Sequence, residues 1–367
     1  MKLTRVLVEN FKGVKHFEVS FAASDDRAPR QITALLGDNG TGKTTVLQAI
    51  ALTLSMATRK TRDPEQLNWH GFLAERVSSL GPTRVELDVR FDREEVETTA
   101  SLFEQWYASL SSEWRESHRI EPPTQHSEVR LEFDGRRLSS PQGFGAVNQF
   151  CGRYYVKVGS RPHGERRELF PKVGDIFWFD QYRNLGGVAT ERSAENGGDR
   201  VATESWQAGV EQLRQYLVGW WAYHTSPDKS HGTDYILPLE ELFAAVFPGT
   251  AFHGLAPRST DMPPGAEDWY FLLRRGDKLF DLAEMSSGEQ AVFPLVYEFV
   301  RLHIAKSIVL VDELGLHLHP PEQQALLRAL PRLGTDCQFI LTTHSTALAD
   351  VIPEDRKAYL EGGRRCL

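Results

Sequence analysis

Hydrophobic and polar positions follow two different periods along this chain, and the change of period predicts where strands and helices lie. Residues 84–91 and 128–133 alternate polar and apolar side chains, as half-exposed antiparallel strands do. From Lys43 onwards apolar residues recur at helical spacing, which predicts a buried helix of about four turns. Further strands are predicted at 3–7, 16–21, 31–36, 154–158, 175–179, 269–273 and 278–282, a loop at 185–199, and further helices at 95–118, 201–223 and 237–247.

Length and composition then limit the class of protein. The chain has 367 residues, of which 41% are hydrophobic and 25% charged, as in ordinary globular proteins. This composition excludes a mainly disordered, collagen-like or disulfide-scaffold chain. A single core stops growing near about 250–300 residues, so two lobes are expected. We predict an N-terminal lobe at 1–185, a helical insertion or second lobe at 186–265, and a C-terminal part of the first domain at 266–367.

Hydropathy, cysteine content and charge indicate the cellular compartment and limit the classes of binding partner. No apolar run approaches the roughly 18–20 residues that span a bilayer, and the N-terminus has no signal-peptide pattern, which predicts a cytoplasmic protein without a membrane partner. The 3 cysteines are too far apart for a paired metal motif. The net charge of −8 provides no general attraction to nucleic acid. Any contact with DNA therefore needs a local basic patch, and 58–62 and 161–172 are the candidates.

A glycine-rich segment after the predicted strand at 31–36 fits the pattern GxxxxGK[ST] at every fixed position. Glycines let successive backbone N–H groups turn inward around phosphate oxygens, and the N-terminus of the following helix adds a favourable dipole. Lys43 would reach the β- and γ-phosphates of ATP, and Thr44 would bind Mg²⁺. The nucleotide-binding residues predicted here are Gly37, Asn39, Gly40, Gly42, Lys43, Thr44 and Thr45.

Two carboxylates end an almost wholly apolar strand at 307–311. Such a run is typical of a parallel strand buried on both faces, and ligands bind at the carboxyl ends of such strands. Asp312 suits Mg²⁺ binding, and Glu313 suits polarising the attacking water. A second apolar strand at 338–341 leads to His344, which we expect at the same edge of the sheet.

Five segments in this order make the chain similar to a known group. VENFKG, GDNGTGKTT, MSSGEQ, IVLVDELGLHLHP and FILTTHS resemble the motifs of the ABC-type ATPases of the SMC and RecF group. That group includes the ATPase parts of OLD-like and PtuA-like phage-defence proteins. The resemblance implies an α/β P-loop NTPase fold: an ABC-type ATPase head with a mixed sheet, an antiparallel β subdomain and a smaller helical second lobe. No heptad run long enough for a coiled coil is present.

The resemblance also implies which residues complete the nucleotide-binding site. Two such heads pair head to tail, and Ser286 and Gly288 of the signature segment would contact the ATP held by the other copy. His344 would sense the γ-phosphate, and Lys12 would lie near the nucleotide phosphates, although a solvated turn lysine is equally compatible with the sequence.

The glutamine that completes the Mg²⁺ and water site is assigned to Gln181, with Gln142 and Gln149 left open. His317 and His319 with Glu313 could also be read as a metal site. We favour the start of a helix there, because Pro320 and Pro321 suit a first helical turn.

Two hypotheses for the biological role remain. The first is the ATPase and sensor subunit of a bacterial anti-phage defence complex, acting as a homodimer or higher oligomer that controls a separately encoded effector such as a nuclease. The alternative is a RecF-like ATPase for DNA repair or maintenance that clamps double-stranded DNA. A transporter subunit is disfavoured, because no aromatic residue precedes the phosphate loop to stack on adenine.

Overall fold

The computed structural model describes residues 1–22, 28–67, 69, 71–117, 120–159, 167–181, 206–230, 232–258, 265 and 268–360. Its strands are β1 (Lys2–Phe11), β2 (Val14–Ser20), β3 (Ile32–Leu36), β4 (Arg84–Arg90), β5 (Glu128–Phe133), β6 (Leu138–Ser139), β7 (Ile176–Phe179), β8 (Thr250–Pro257), β9 (Trp269–Arg275), β10 (Lys278–Asp281), β11 (Ile308–Val311), β12 (Gln338–Thr343) and β13 (Lys357–Tyr359). Its helices are α1 (Lys43–Ala57), α2 (Arg93–Ser109), α3 (Ser112–Ser117), α4 (Phe144–Asn148), α5 (Gly152–Val158), α6 (Trp206–Thr225), α7 (Ile236–Val246), α8 (Ser287–Arg301), α9 (Pro320–Leu333) and α10 (Thr346–Ala349).

The chain divides into two compact units, each discontinuous in sequence. Unit 1 is Met1–Trp178, Ile304–Leu314 and Gly334–Leu367, and unit 2 is Phe179–His303 and Gly315–Leu333. The sequence instead suggested three consecutive segments, 1–185, 186–265 and 266–367, and that division stays a prediction.

Unit 1 holds two sheets around one buried helix. The antiparallel sheet has the order β2-β1-β4-β5-β6, and the second has the order β13-β3-β12-β11-β7. In the second sheet, β3 pairs in parallel with β12 and β13, and β12 with β11. All residues of β3, β11 and β12 are buried, as expected for strands covered on both faces. Helix α1 is buried along nearly its whole length in the core of this unit.

Unit 2 combines helices α6 to α9 with a sheet of order β10-β9-β8. Its core is aromatic, and the rings of Phe243, Phe252 and Phe293 contact one another. A buried ion pair, Arg214 Nη2 to Asp281 Oδ1 at 2.6 Å, joins α6 to the end of β10. Because both groups are buried, losing either one would leave the other as an uncompensated charge.

The predicted fold class is confirmed: the architecture is α/β with several sheets. The longest helix in the described part of the chain, α6, has 20 residues, so no coiled-coil arm occurs there. None of the helices there is both long and apolar enough to span a bilayer.

Two secondary-structure predictions were wrong. The predicted strand at 154–158 is helix α5, because Tyr155 and Val156 are fully buried in the aromatic cluster that α5 forms with α2. Tertiary packing here overrides the strand preference of Tyr and Val. The single helix expected at 95–118 is divided into α2 and α3, with an extended backbone at Leu110. The loop expected at 185–199 lies outside the described residues.

Candidate nucleotide-binding site

The segment 37–44 connects the buried end of β3 to the start of α1. Gly40 and Gly42 have φ angles of 81° and 98°, which L side chains rarely adopt. A Cβ at Gly42 would also meet Val14 Cγ2 at 2.7 Å. The exposed tip holds Asn39 and Gly40. Local sequence and packing therefore fix a tight loop whose backbone leads directly into a helix N-terminus, which is the geometry that anions bind.

Lys43 folds back over this loop. Its Nζ donates to Gly37 O at 2.8 Å and to Asp38 O at 3.1 Å, and the residue is only 6% exposed. An ammonium group has three donors and no acceptor. The two loop carbonyls therefore hold the charged group beside the backbone N–H groups that would surround a phosphate.

Asp312, just after β11, lies next to the start of α1. Thr44 Oγ1 donates to its carboxylate, 2.9 Å from Oδ2, and Thr342 Oγ1 donates to Oδ1 at 2.6 Å. A hydroxyl and a carboxylate are hard oxygen ligands of the kind that Mg²⁺ prefers. These residues would hold a Mg²⁺ ion, which would supply positive charge beside the nucleotide phosphates.

Glu313 and His344 come together at the same sheet edge, as their positions after β11 and β12 predicted. His344 Nδ1 lies 2.7 Å from Glu313 Oε2, and His344 is exposed while the Glu313 side chain is 14% exposed. Glu313 has a φ of 49°, which is uncommon for a residue with a side chain. Its backbone N–H donates to Thr342 Oγ1 at 2.8 Å, so this bond helps hold the strained turn.

Ser286 and Gly288 lie in unit 2, at the N-terminus of α8. Ser286 is exposed and caps the helix, whereas Gly288 is buried. Gln181 is half-buried and follows β7. Of the two other glutamines, Gln149 bonds to both backbone groups of His126, and Gln142 bonds to the backbone of β5. Both have local structural roles, and the role of Gln181 at the Mg²⁺ and water site stays a prediction.

Lys12 contacts the side of α1. Its Nζ donates to Gln48 Oε1 and to Gly71 O, both at 2.8 Å, and lies over the ring of Phe72. Burial lowers the pKa of Lys12, and the nearby charge of Arg76 lowers it further. Its proximity to phosphates stays a prediction.

Sequence reasoning missed several polar residues that organise these sites. Thr342 bridges Asp312 and the backbone of Glu313, and Glu289 and Arg275 form a hydrogen-bonded group with Ser286. The only available signal was the Ser-x-x-Glu pattern of a capping box at 286–289. A buried threonine in an apolar strand gives no such signal.

The structure around the histidines after Glu313 favours the start of a helix over a metal site. Helix α9 begins at Pro320, and His317 and His319 are exposed. No group of three or more His, Cys, Asp or Glu side chains in the described ranges is arranged to hold a metal ion.

The two central charges of the basic segment 58–62 have partners within the chain. Arg59 Nη2 donates to Asn148 Oδ1 at 2.9 Å and the guanidinium lies over Tyr154. Lys60 Nζ pairs with Asp175 at 3.1 Å, and burial lowers the pKa of this lysine while Asp175 opposes the change. The second candidate patch, 161–172, lies outside the described residues up to position 166.

Two family models and several known proteins are similar to this chain. Residues 227–350 match the family model described as "AAA domain, putative AbiEii toxin, Type IV TA system", and residues 1–128 match "AAA ATPase domain". The chain is 30% identical to the protein named "Retron Ec83 probable ATPase" from Escherichia coli, over 100% of this chain and 72% of that protein. The chain belongs to the SMC/RecF-like AAA ATPases. It is an enzyme that hydrolyses ATP to ADP and phosphate.

Two further comparisons agree with this family. The ATPase is 18% identical to "Retron Vc95 probable ATPase" of Vibrio cholerae serotype O1 biovar El Tor, over 97% of this chain and 73% of that protein. Among solved structures, an SMC head bound to the C-winged helix domain of ScpA aligns with a TM-score of 0.51 and 14% identity, covering 95% of this chain and 92% of that chain. At this identity the match shows a shared fold.

Replacing Thr342 by valine should lower both the ATPase rate and the stability. Valine keeps the shape but leaves the partly buried N–H of Glu313 without its acceptor, which costs about 1–3 kcal/mol. Chemical denaturation and steady-state turnover measure the two effects. We expect turnover to fall by about tenfold, because the turn that carries Glu313 loosens.

Thr33→Val is the matched control in the adjacent strand β3. The hydroxyl of Thr33 is buried and has no hydrogen-bond partner among the described residues. The same substitution there should therefore be neutral or stabilising. Equal destabilisation by both variants would contradict a specific role for Thr342.

Proposed function

We propose that this ATPase is the sensor subunit of a bacterial anti-phage defence complex and controls a separately encoded effector such as a nuclease. The observation that carries the proposal is the 30% identity to a retron ATPase over 72% of that protein. The similarity of residues 227–350 to the AbiEii toxin family model supports it, because that description also names a toxin–antitoxin system.

ATP would bind on unit 1 at the loop 37–44. Lys43 would exchange its bonds to loop carbonyls for bonds to the β- and γ-phosphates, and Thr44 and Asp312 would hold Mg²⁺. The ion would supply charge neutralisation at the phosphates. Glu313 would accept the proton of the attacking water, and His344, hydrogen-bonded to it, would respond to the γ-phosphate.

The active form would be a head-to-tail homodimer, alone or within a higher oligomer. The exposed position of Ser286 at the N-terminus of α8 supports this form, since an anion outside the chain can approach that helix N-terminus. ATP binding would close the dimer, and hydrolysis would open it. The closed dimer would be the state that the effector recognises.

The proposal is tested by affinity purification of Glu313→Gln from its native host, with Lys43→Ala as the control that should not bind ATP. We expect one effector protein to co-purify in a fixed ratio with Glu313→Gln and to be reduced with Lys43→Ala. Deleting the gene of that effector should abolish protection against phage while the purified ATPase keeps its turnover.

The RecF-like alternative predicts another outcome. Recovery of the ATPase without an effector, but with retained double-stranded DNA, would contradict the defence proposal and support a DNA clamp. Arg59 and Lys60 already bond to Asn148 and Asp175 of the same chain, which disfavours the segment 58–62 as the DNA-contacting surface of such a clamp.

A further inference from the structure

A hydrogen-bonded group of three side chains surrounds the N-terminus of α8. The hydroxyl of Ser286 donates to Glu289 Oε2 at 2.8 Å, and the backbone N–H of Ser286 donates to the same oxygen at 2.9 Å. The other oxygen, Oε1, pairs with Arg275 Nη2. Glu289 is 1% exposed, so this carboxylate depends on these donors rather than on water.

Ser286 has only one hydroxyl proton. It can donate this proton to Glu289, as it does here, or to an incoming phosphate oxygen, but not fully to both. When the hydroxyl turns to a phosphate, Glu289 loses one of its donors. A buried carboxylate is costly without partners, so the remaining bonds must compensate.

Arg275 can compensate the charge of Glu289 after the Ser286 hydroxyl turns away, because the position of Arg275 does not depend on Glu289 alone. Its Nε donates to Thr250 Oγ1 at 3.2 Å, and its guanidinium lies 5.2 Å from the ring centroid of Phe280. Thr250 is itself buried. The guanidinium is therefore held in place on β9 whether or not Ser286 remains bonded to Glu289.

The charge of Glu289 also opposes phosphate binding directly. A second carboxylate, that of Glu322, faces the same helical turn: its Oε2 would lie 3.1 Å from a Cβ at Gly288. Two carboxylates beside a helix N-terminus would repel an anion that approaches it. A fixed cation bonded to Glu289 reduces that repulsion.

We propose that Arg275 is a positioning residue of the signature segment: it carries the charge of Glu289 while Ser286 turns its hydroxyl to the γ-phosphate of ATP bound by a second copy of the chain. The inference rests on the proposed head-to-tail dimer. Arg275 acts through Glu289, and its removal should weaken ATP-dependent dimerisation more than it weakens ATP binding to the monomer.

The experiment measures dimerisation by sedimentation equilibrium with Mg²⁺ and ATP, in a Glu313→Gln background that prevents turnover. Arg275→Ala should raise the dimer dissociation constant by about tenfold, less than for a fully buried pair because Arg275 is half-exposed. Arg274→Ala, the same change at the next residue, is the matched control. Arg274 is exposed, has no ion pair among the described residues, and should leave dimerisation unchanged.

The decisive measurement is rescue. Glu289→Gln removes the buried charge and keeps an acceptor for the Ser286 N–H, so adding it to Arg275→Ala should restore dimerisation to within about threefold of Glu289→Gln alone. A purely structural role of Arg275 would lower the melting temperature of the nucleotide-free protein in parallel with the loss of dimerisation, so thermal melts of every variant without nucleotide separate the two roles.

Each outcome decides the inference. Rescue with unchanged monomer ATP binding supports it. An equal defect with and without Glu289→Gln overturns it, because Arg275 would then act independently of Glu289. If the Glu313→Gln parent does not dimerise with ATP, the proposed dimer fails and this inference fails with it; if the parent dimerises and Arg275→Ala has no effect, only this inference fails.

Discussion

Glu313→Gln is expected to reduce steady-state ATP turnover by about 100-fold or more while ATP binding persists. Glutamine has the same size as glutamate and can keep a hydrogen bond to His344, whose Nδ1 lies 2.7 Å from Glu313 Oε2. It cannot accept a proton from water. The bond from the Glu313 N–H to Thr342 Oγ1 uses only the backbone, so the turn should keep its shape. The variant should therefore accumulate with ATP bound.

Turnover is measured by phosphate release, and ATP binding by equilibrium titration of the same preparation. Glu354→Gln is the control: Glu354 is an exposed carboxylate of unit 1 that contacts Lys357 and Tyr359 near β13. It should turn over ATP at the wild-type rate. If Glu313→Gln also kept the wild-type rate, Glu313 would not be the catalytic base.

The parts of the site that could be predicted from the sequence are those in which one short segment determines both the fold and the chemistry. The apolar run of β3, the glycines after it and the periodic helix α1 follow one another without a gap, so they could be read directly. The carboxylates after β11 and His344 after β12 were placed at one edge because parallel strands end together. The bond between Glu313 and His344 agrees with that argument.

The parts that could not be predicted depend on contacts between distant segments. Thr342 was unrecognised because its importance comes from Asp312 and Glu313, which follow the neighbouring strand β11. Arg275 is paired with Glu289 through the fold of unit 2, and no local pattern indicates that pair. Helix α5 was read as a strand because its burial against α2 determines its conformation. The division into two discontinuous compact units could not be predicted for the same reason, since the order of segments along the chain does not show which of them pack together.

Lys43→Ala is expected to weaken ATP binding by about 100-fold or more, because it removes the one side-chain cation that the loop itself presents to the phosphates. Lys43 is nearly fully buried, and its Nζ is bonded only to the carbonyls of Gly37 and Asp38 among the contacts described. Alanine cannot replace these donors. Helix α1 should persist, because alanine is the residue most favourable to helices and the buried apolar face of α1 is unchanged.

The measurement is equilibrium binding of ATP, with a thermal melt to verify folding and with Lys15→Ala as the control for loss of one positive charge. Lys15 is exposed on β2, so its removal should leave affinity within about twofold. Lys43→Ala and Glu313→Gln should both lack turnover, but only Glu313→Gln should carry ATP. A property that is present in Glu313→Gln and absent from Lys43→Ala therefore depends on bound ATP. If Lys43→Ala bound ATP normally, the loop 37–44 would not be the phosphate site, and the assignments of Thr44 and Asp312 to Mg²⁺ would lose their basis.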